Sequence, residues 1–155
     1  MKFSQCKTLI LSLVLTLFCL RAYAFDLDII VNEKNTLTSI TVSELQNYFT
    51  KKSRTWPNGD AVRFFDQRDD NESRKLFLSK FIKKTPREVE LYWIGEKIYT
   101  GNIAPIQISS DSMMVSMVSR FPGGIGYVDS KATLKKTVKK ITVKPDLVES
   151  QGNNK

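Results

Sequence analysis

The sequence contains no histidine, and its two cysteines, Cys6 and Cys19, both lie near its start. The absence of histidine removes the side chain that most often serves as a general base or a metal ligand near neutral pH. It also excludes every Ser-His or Cys-His nucleophile arrangement. Phosphate-binding loops of the Gly-x-x-x-x-Gly-Lys-Ser/Thr and Gly-x-Gly-x-x-Gly types are absent as well. We therefore predict a non-catalytic protein with no cofactor and no metal site.

The first 24 residues have the features of a cleavable signal peptide. Lys2 and Lys7 precede an apolar run over 9–20, and Ala22-Tyr23-Ala24 is a small-x-small cleavage site. The run is shorter than the roughly 20 apolar residues that span a bilayer. We predict cleavage after Ala24 and a periplasmic product. An uncleaved anchor and a lipoprotein attached through Cys19 are the alternatives.

Removal of this segment leaves a domain predicted over 25–145 and a polar, disordered tail over 146–155. Both cysteines leave with the signal peptide, so the mature chain has no disulfide and no thiol nucleophile. Three basic residues leave too, which lowers the net charge from +8 to +5. In this compartment we expect no nucleic-acid partner, and contact with a membrane that is peripheral at most.

The mature chain alternates between strand and helix patterns. Strands are predicted at 26–32, 62–65, 125–128 and 140–143, and helices at 41–49, 71–81, from 85 to Gly101, and at 110–120. Two helix starts are capping boxes, Thr41 with Glu44 and Thr85 with Glu88. This alternation is typical of an α/β sandwich, here with a mixed sheet flanked by helices.

Three further expectations concern packing. Ile98 should face the core from the third helix, and Gly126 should allow another backbone to approach closely. The lysine-rich segment 131–144 should end in a strand at a solvated sheet edge, where lysines discourage aggregation.

The densest carboxylate cluster is Asp66, Asp69, Asp70 and Glu72. It lacks the alternating oxygen ligands and the turn glycine of a calcium loop. A hydrolase that uses two of these carboxylates is an alternative with no other support in the sequence.

Several short segments occur in an order that resembles one family. They are Ile30-Val31-Asn32, Leu37 to Thr41, Glu44-Leu45-x-x-Tyr48-Phe49, Trp56-Pro57-Asn58-Gly59, Arg68, Ser73-Arg74-x-x-Phe77, Tyr92-Trp93, Gly101 with Pro105, and Phe121 to Val128. The order resembles the phosphate-binding proteins of phosphate ABC importers, and most closely their short relatives of about one lobe. The resemblance runs from about Ile29 to Val128. The Trp-Pro-x-Gly loop and the Pro-Gly-x-Ile-Gly-Tyr-Val block are its specific parts.

The resemblance implies one lobe of a type II periplasmic-binding fold, mainly the second lobe. In full-length members, phosphate lies between two lobes, and the second lobe supplies an arginine and a Ser-Gly-Thr turn that opens a helix. Here the arginine falls on Arg68 and the turn on Asn71-Glu72-Ser73, with Arg74 next. The implied ligand-binding residues are therefore Arg68, Asn71, Ser73 and Arg74. The implied ligand is a small anion such as phosphate, and the implied partner is an ABC permease or another envelope protein.

Two departures from the family leave alternatives open. The turn has no glycine, and Glu72 adds negative charge beside Asp69 and Asp70. Arg68 could then form a surface ion pair with these acids instead of holding a ligand. The alternative function is a one-lobe fold reused as a protein-interaction component of an envelope or signalling assembly. Its candidate surfaces are the basic loop Lys51–Trp56 and the lysine-rich end.

Overall fold

The computed structural model describes residues 26–146, which contain six strands and four α-helices. The strands are β1 (Leu27–Asn32), β2 (Ser39–Thr41), β3 (Arg63–Gln67), β4 (Ile106–Ile108), β5 (Gly124–Asp129) and β6 (Val138–Lys144). The helices are α1 (Val42–Phe49), α2 (Glu72–Phe77), α3 (Pro86–Thr100) and α4 (Asp111–Arg120), and a π-helical turn (Leu78–Ile82) continues α2. The predicted α/β class is confirmed. The predicted signal peptide and nearly all of the predicted tail lie outside the described residues.

The strands form one sheet in the order β2-β6-β1-β5-β3-β4. Strand β1 pairs antiparallel with both β5 and β6, and Ile29 lies opposite Tyr127 on one side and Ile141 on the other. The pairs β2–β6, β3–β5 and β3–β4 are parallel. The sheet is therefore mixed, as predicted. The edge strands β2 and β4 were not predicted, because each has only three residues.

Helices cover both faces of the sheet. The larger core lies under α1, α2, the π-helical turn and α3, and it includes Leu45, Phe77 and Trp93. The smaller core lies under α4 and includes Met114 and Val118. Strand β1 contributes to both faces because successive side chains of a strand point to opposite sides of the sheet.

Local sequence signals set the helix ends. Thr41 and Thr85 both form the predicted capping boxes, with reciprocal hydrogen bonds to Glu44 and Glu88. Gly101 ends α3 at a φ of 75°, in the left-handed region that favours glycine. The helix predicted over 71–81 is regular only to Phe77, after which the backbone widens into the π-helical turn.

The two specific segments of the resemblance pack against each other. The indole Nε1 of Trp56 donates a hydrogen bond of 3.1 Å to the carbonyl oxygen of Gly123. A Cβ atom at Gly123 would lie 1.8 Å from the carbonyl oxygen of Ala61. Glycine is therefore required at this position to bring the loop and the block together.

The expectation that β6 forms a sheet edge is wrong. Strand β6 lies between β2 and β1, and its Lys140 forms an ion pair with Asp28 of β1. The short strand β2 shields what would otherwise be an exposed edge. The lysines of β6 therefore lie on a paired strand and do not protect a free edge.

Two packing expectations also fail. Ile98 is 70% exposed, because α3 turns Val89 and Trp93 inward and Ile98 lies on another face. Gly126 accommodates a side chain rather than a backbone, since a Cβ atom there would lie 2.4 Å from the sulfur of Met114. No helix within residues 26–146 has both the length and the apolar character needed to cross a bilayer.

Candidate functional site

The parallel strands β3, β4 and β5 bring their carboxyl ends to one edge of the sheet. Ligands of open α/β sheets bind in crevices outside such strand ends. Strand β3 ends at Gln67, and the chain turns through 68–71 into α2. All four residues predicted to bind the anion therefore lie at this edge or in the first turn of α2.

Arg74 forms a buried ion pair at this edge. Its Nε lies 2.9 Å from Oδ2 of Asp66, and its Nη1 lies 3.0 Å from Oδ1 of Asp69. The side chains of Arg74 and Asp66 are 7% and 4% exposed, whereas that of Asp69 is 76% exposed. The remaining nitrogen, Nη2, makes no hydrogen bond within residues 26–146. The guanidinium is thus fixed on its inner side and meets an exposed carboxylate on its outer side.

The Asp66 carboxylate is held by several donors. Its Oδ1 accepts hydrogen bonds from the Tyr127 hydroxyl and from the backbone N–H of Gln67, the latter at 2.9 Å. Burial raises the pKa of the Asp66 carboxyl, and the Arg74 guanidinium and the Tyr127 hydroxyl oppose that rise. Burial, followed by the charge of Asp66, raises the pKa of Tyr127. Tyr127 therefore stays protonated and acts as a donor.

Gln67 joins this ion pair to the neighbouring elements. Its fully buried side chain donates from Nε2 to Oδ1 of Asp111 at 2.7 Å and to the carbonyl of Tyr127 at 3.3 Å. Its Oε1 accepts from Nδ2 of Asn71 at 3.2 Å. The hydrogen bonds link β3, β5 and the starts of α2 and α4, so the strand-end cluster (Asp66, Gln67, Arg74 and Tyr127) is held rigidly.

Asn71 and Ser73 lie together at the start of α2. The Oδ1 of Asn71 caps the helix by accepting from the backbone N–H of Ser73 at 2.7 Å. This N–H is therefore already used within the chain, although the resemblance implied that the turn meets an anion. Ser73 itself is buried.

Arg68 begins the same turn, and its carbonyl oxygen accepts a hydrogen bond of 3.0 Å from the backbone N–H of Asn71. Its side chain is 60% exposed, and its Nε lies 3.8 Å from Oδ1 of Asp70. This is the surface ion pair that the sequence offered as the alternative, and exposed pairs of this kind contribute at most about 1 kcal/mol. The segment 66–74 carries four carboxylates and two guanidiniums. Its own charge is therefore negative.

A cavity of about 650 Å³ lies beside this cluster, between α3 and the segment that leads into β4. Arg74 and Asp69 form part of its lining. Most of the remaining wall is contributed by α3, including Trp93, Ile94 and Lys97. Across residues 26–146 no three acidic side chains are grouped to hold a metal ion.

Sequence reasoning found Arg74 but not its partners. Asp66 and Gln67 are polar residues at the end of an apolar strand, which is a signal for a buried polar cluster. The pairing with Tyr127 depends on the β3–β5 register, which one sequence does not reveal. The cavity depends on how α3 lies against the chain before β4, and no motif marks it.

No family model matches this sequence, and no curated protein matches it. Solved structures do share its fold. An ABC-type phosphate transport receptor from Vibrio cholerae is 19% identical with a TM-score of 0.60, and PstS from Borrelia burgdorferi is 17% identical with a TM-score of 0.60. A putative phosphate ABC transporter substrate-binding protein with bound phosphate from Clostridium perfringens is 15% identical with a TM-score of 0.58.

Each match covers 77% of this chain and 46%, 47% and 45% of the respective structures, so the chain spans about half the length of the proteins that it matches. Identity at this level shows the fold alone. The chain therefore has a type II periplasmic-binding-like fold, as the resemblance implied.

Proposed function

We propose that this chain is a non-catalytic, exported binding protein that holds a small oxyanion, with phosphate as the first ligand to test, at Arg74. The observation that carries the proposal is that the Arg74 guanidinium is buried and has two ion-pair partners. The guanidinium is fixed through Nε by Asp66, whereas among the described residues its Nη1 pairs only with the exposed carboxylate of Asp69. A carboxylate at 3.0 Å from a guanidinium nitrogen stands where an oxygen of a bound oxyanion would lie.

The surroundings of Asp69 support an exchange of this carboxylate for a ligand. Its Oδ1 also accepts from Nε2 of Gln107 at 3.1 Å. An oxyanion that displaced Asp69 would therefore gain donors from both Arg74 and Gln107. The side chain of Asp69 is 76% exposed, so water can solvate its carboxylate after the exchange. Asp69 then keeps Arg74 paired when no ligand is bound.

The other predicted residues have supporting roles in this proposal. Asn71 and Ser73 fix the start of α2 and thereby the position of Arg74. Arg68, whose side chain is 60% exposed, adds a positive charge to the same turn. Two fold neighbours, described as a phosphate transport receptor and as a putative substrate-binding protein, favour binding rather than catalysis. A periplasmic location and an ABC permease or another envelope protein as partner are part of the same proposal.

Isothermal titration of residues 25–155 with inorganic phosphate tests the oxyanion site. Asp69→Asn should tighten phosphate binding about tenfold, because the substitution removes a competing charge worth roughly 1–4 kcal/mol at contact distance. Asp70→Asn is the matched control, since Asp70 is equally exposed but contacts Arg68 instead of Arg74. Arg68→Ala should weaken binding only slightly. Absence of binding to both the wild type and Asp69→Asn at millimolar phosphate would refute the proposal.

A second candidate function, a protein-interaction component, is favoured by a different observation. Leu91, Ile94 and Ile98 are 51%, 48% and 70% exposed and follow one another along α3 at spacings of three and four. They form the outer stripe of α3, a second apolar surface distinct from the buried face of this helix. The predicted basic loop is a poorer surface, because Trp56 is buried and Nζ of Lys51 donates to the carbonyl of Ile103.

Site-specific photocrosslinking in the cell envelope tests this second candidate. A crosslinker at position 98 should trap one defined partner, and a crosslinker at the exposed Lys84 should not. Leu91→Asp should abolish the adduct. Recovery of monomer only, from both positions, would count against a protein partner.

A further inference from the structure

We propose that the cavity beside α3 binds the apolar body of a small organic acid, so that the ligand of this protein is an amphipathic carboxylate rather than inorganic phosphate alone. The inference rests on the proposed function only for the contact between the acid and Arg74. The cavity itself is formed mainly by residues that the predicted anion site does not include.

The size and lining of the cavity indicate an apolar ligand body. Its volume of about 650 Å³ lies within the usual range for small-molecule sites, which is about 300–1,000 Å³. The wall includes Val89, Trp93, Ile94 and Ile103. An inorganic oxyanion is satisfied by polar contacts alone and leaves such a wall uncovered. A ligand with a hydrocarbon or aromatic body removes this apolar surface from water.

Two residues of the lining, Trp93 and Lys97, carry a donor that has no partner among the described residues. Trp93 is 7% exposed, and its buried Nε1 has no acceptor among the described residues. The ammonium of Lys97 makes no hydrogen bond or ion pair within residues 26–146. Lys97 is exposed, so an acceptor oxygen of a ligand in the cavity can pair with its ammonium.

The second tryptophan shows that an unpaired indole is not a general feature of this fold. Trp56 is buried to a similar extent, and its Nε1 donates to the carbonyl of Gly123. Buried polar groups are normally paired in this way, and each exception requires an explanation. At Trp93 the exception occurs in a residue that lines the cavity.

The charges of the lining favour an acid over an amine. Arg87 is paired with Glu90 at 2.7 Å, and Arg74 is paired with Asp66 and Asp69. Lys97 is therefore the charged residue of the lining that has no ion-pair partner among the described residues, and its charge is positive. A carboxylate at one end of an apolar body matches the lysine and the two guanidiniums, whereas an ammonium would meet repulsion.

Two-dimensional ¹H–¹⁵N NMR of residues 25–155 tests the inference, with decanoate as the probe. The two indole N–H signals are assigned with Trp56→Phe and Trp93→Phe. Decanoate should shift the Trp93 signal and leave the Trp56 signal in place. Decyltrimethylammonium, with the same chain and the opposite charge, should shift neither. An unmoved Trp93 signal at millimolar decanoate, or an equal response to both probes, overturns the inference.

A matched pair of variants locates the probe. Ile94 lines the cavity, whereas Ile98 lies on the same helix, is at least as exposed and does not line it. Ile94→Asp should weaken decanoate binding at least tenfold, and Ile98→Asp should leave it within twofold. Equal losses in the two variants would place the probe on the outer stripe of α3 and refute the cavity. Lys97→Gln should weaken binding several-fold, with Lys84→Gln as its control.

Inorganic phosphate separates this inference from the proposed function. Phosphate should shift the backbone signals of 69–75 without moving the Trp93 indole. If phosphate binds and decanoate leaves Trp93 unmoved, the organic-acid inference fails and the oxyanion site stands. If decanoate shifts Trp93 in a Lys97-dependent manner while phosphate binds neither the wild type nor Asp69→Asn, the proposed oxyanion site fails and the cavity stands.

Discussion

The strand-end cluster and the outer side of α3 are neighbouring regions that differ in how their polar groups are paired and in how far their apolar groups are buried. In the strand-end cluster, Asp66, Gln67 and Arg74 are buried, and the Asp66 carboxylate accepts hydrogen bonds from both of the others. On α3, the Trp93 indole has no acceptor among the described residues, and large aliphatic side chains face solvent. Groups of the first kind stabilise the isolated fold. Unpaired polar groups and exposed apolar side chains do not stabilise the isolated fold, and they are the groups that a molecule from outside the chain can contact.

The largest expected effect is that of Asp66→Ala. The substitution leaves the buried guanidinium of Arg74 without its inner partner, and removing one member of a buried ion pair costs about 3–5 kcal/mol. Urea unfolding followed by circular dichroism measures this loss. Asp70→Ala, at an exposed position, should stay within about 0.5 kcal/mol of the wild type. Equal stabilities of the two variants would mean that the cluster does not support the fold.

Asn71→Ala should have the next largest effect, a loss of about 1–2 kcal/mol in the same measurement. It removes the N-cap of α2 and the donor that reaches Oε1 of Gln67. Asn71→Ser retains a capping acceptor and should recover part of the loss. A variant as stable as the wild type would show that the start of α2 is not held by this side chain.

Glu88→Gln should have a small effect that depends on pH. Hydrogen bonds from the backbone and side chain of Thr85 lower the pKa of Glu88 in the folded state below the ordinary value of 4.5. The stabilisation is therefore complete above pH 4.5 and is lost as the pH falls through the folded-state pKa. Thermal melts between pH 3 and pH 7 should show a shallower acid limb for the variant. Parallel acid limbs for the two proteins would exclude this contribution.

Ile98→Ser should have the smallest effect, within about 0.5 kcal/mol of the wild type, because the side chain is already exposed. Val89→Ser, on the buried face of the same helix, should destabilise the protein strongly. The difference between the two losses of stability shows whether the side chains of the outer stripe contribute to packing in the core. A loss at Ile98 comparable to that at Val89 would show that the stripe is packed in solution.

Local signals in the sequence predicted the helices well, because a capping box or a terminal glycine acts within one turn. The long strands followed from apolar runs such as that of β1. The edge strands β2 and β4 could not be predicted, since three residues carry too little periodicity and their pairing depends on distant strands. The interior position of β6 was missed for the same reason.

The candidate site was predictable only in part. The resemblance led to Arg74, but the charges that surround it come from residues whose proximity is set by the fold. Asp69 reads in the sequence as one of several exposed acids, and only the structure joins it to Arg74 and Gln107. The unpaired nitrogen of Trp93 and the cavity beside it depend on packing, which no motif in the sequence marks.

A crystal structure of Asp69→Asn grown with inorganic phosphate would show whether Arg74 binds an oxyanion. We expect a tetrahedral anion within hydrogen-bond distance of the guanidinium of Arg74 and of Nε2 of Gln107, with the Arg74–Asp66 pair unchanged. A structure in which phosphate is absent from Arg74, or is bound only by surface lysines elsewhere, would contradict it.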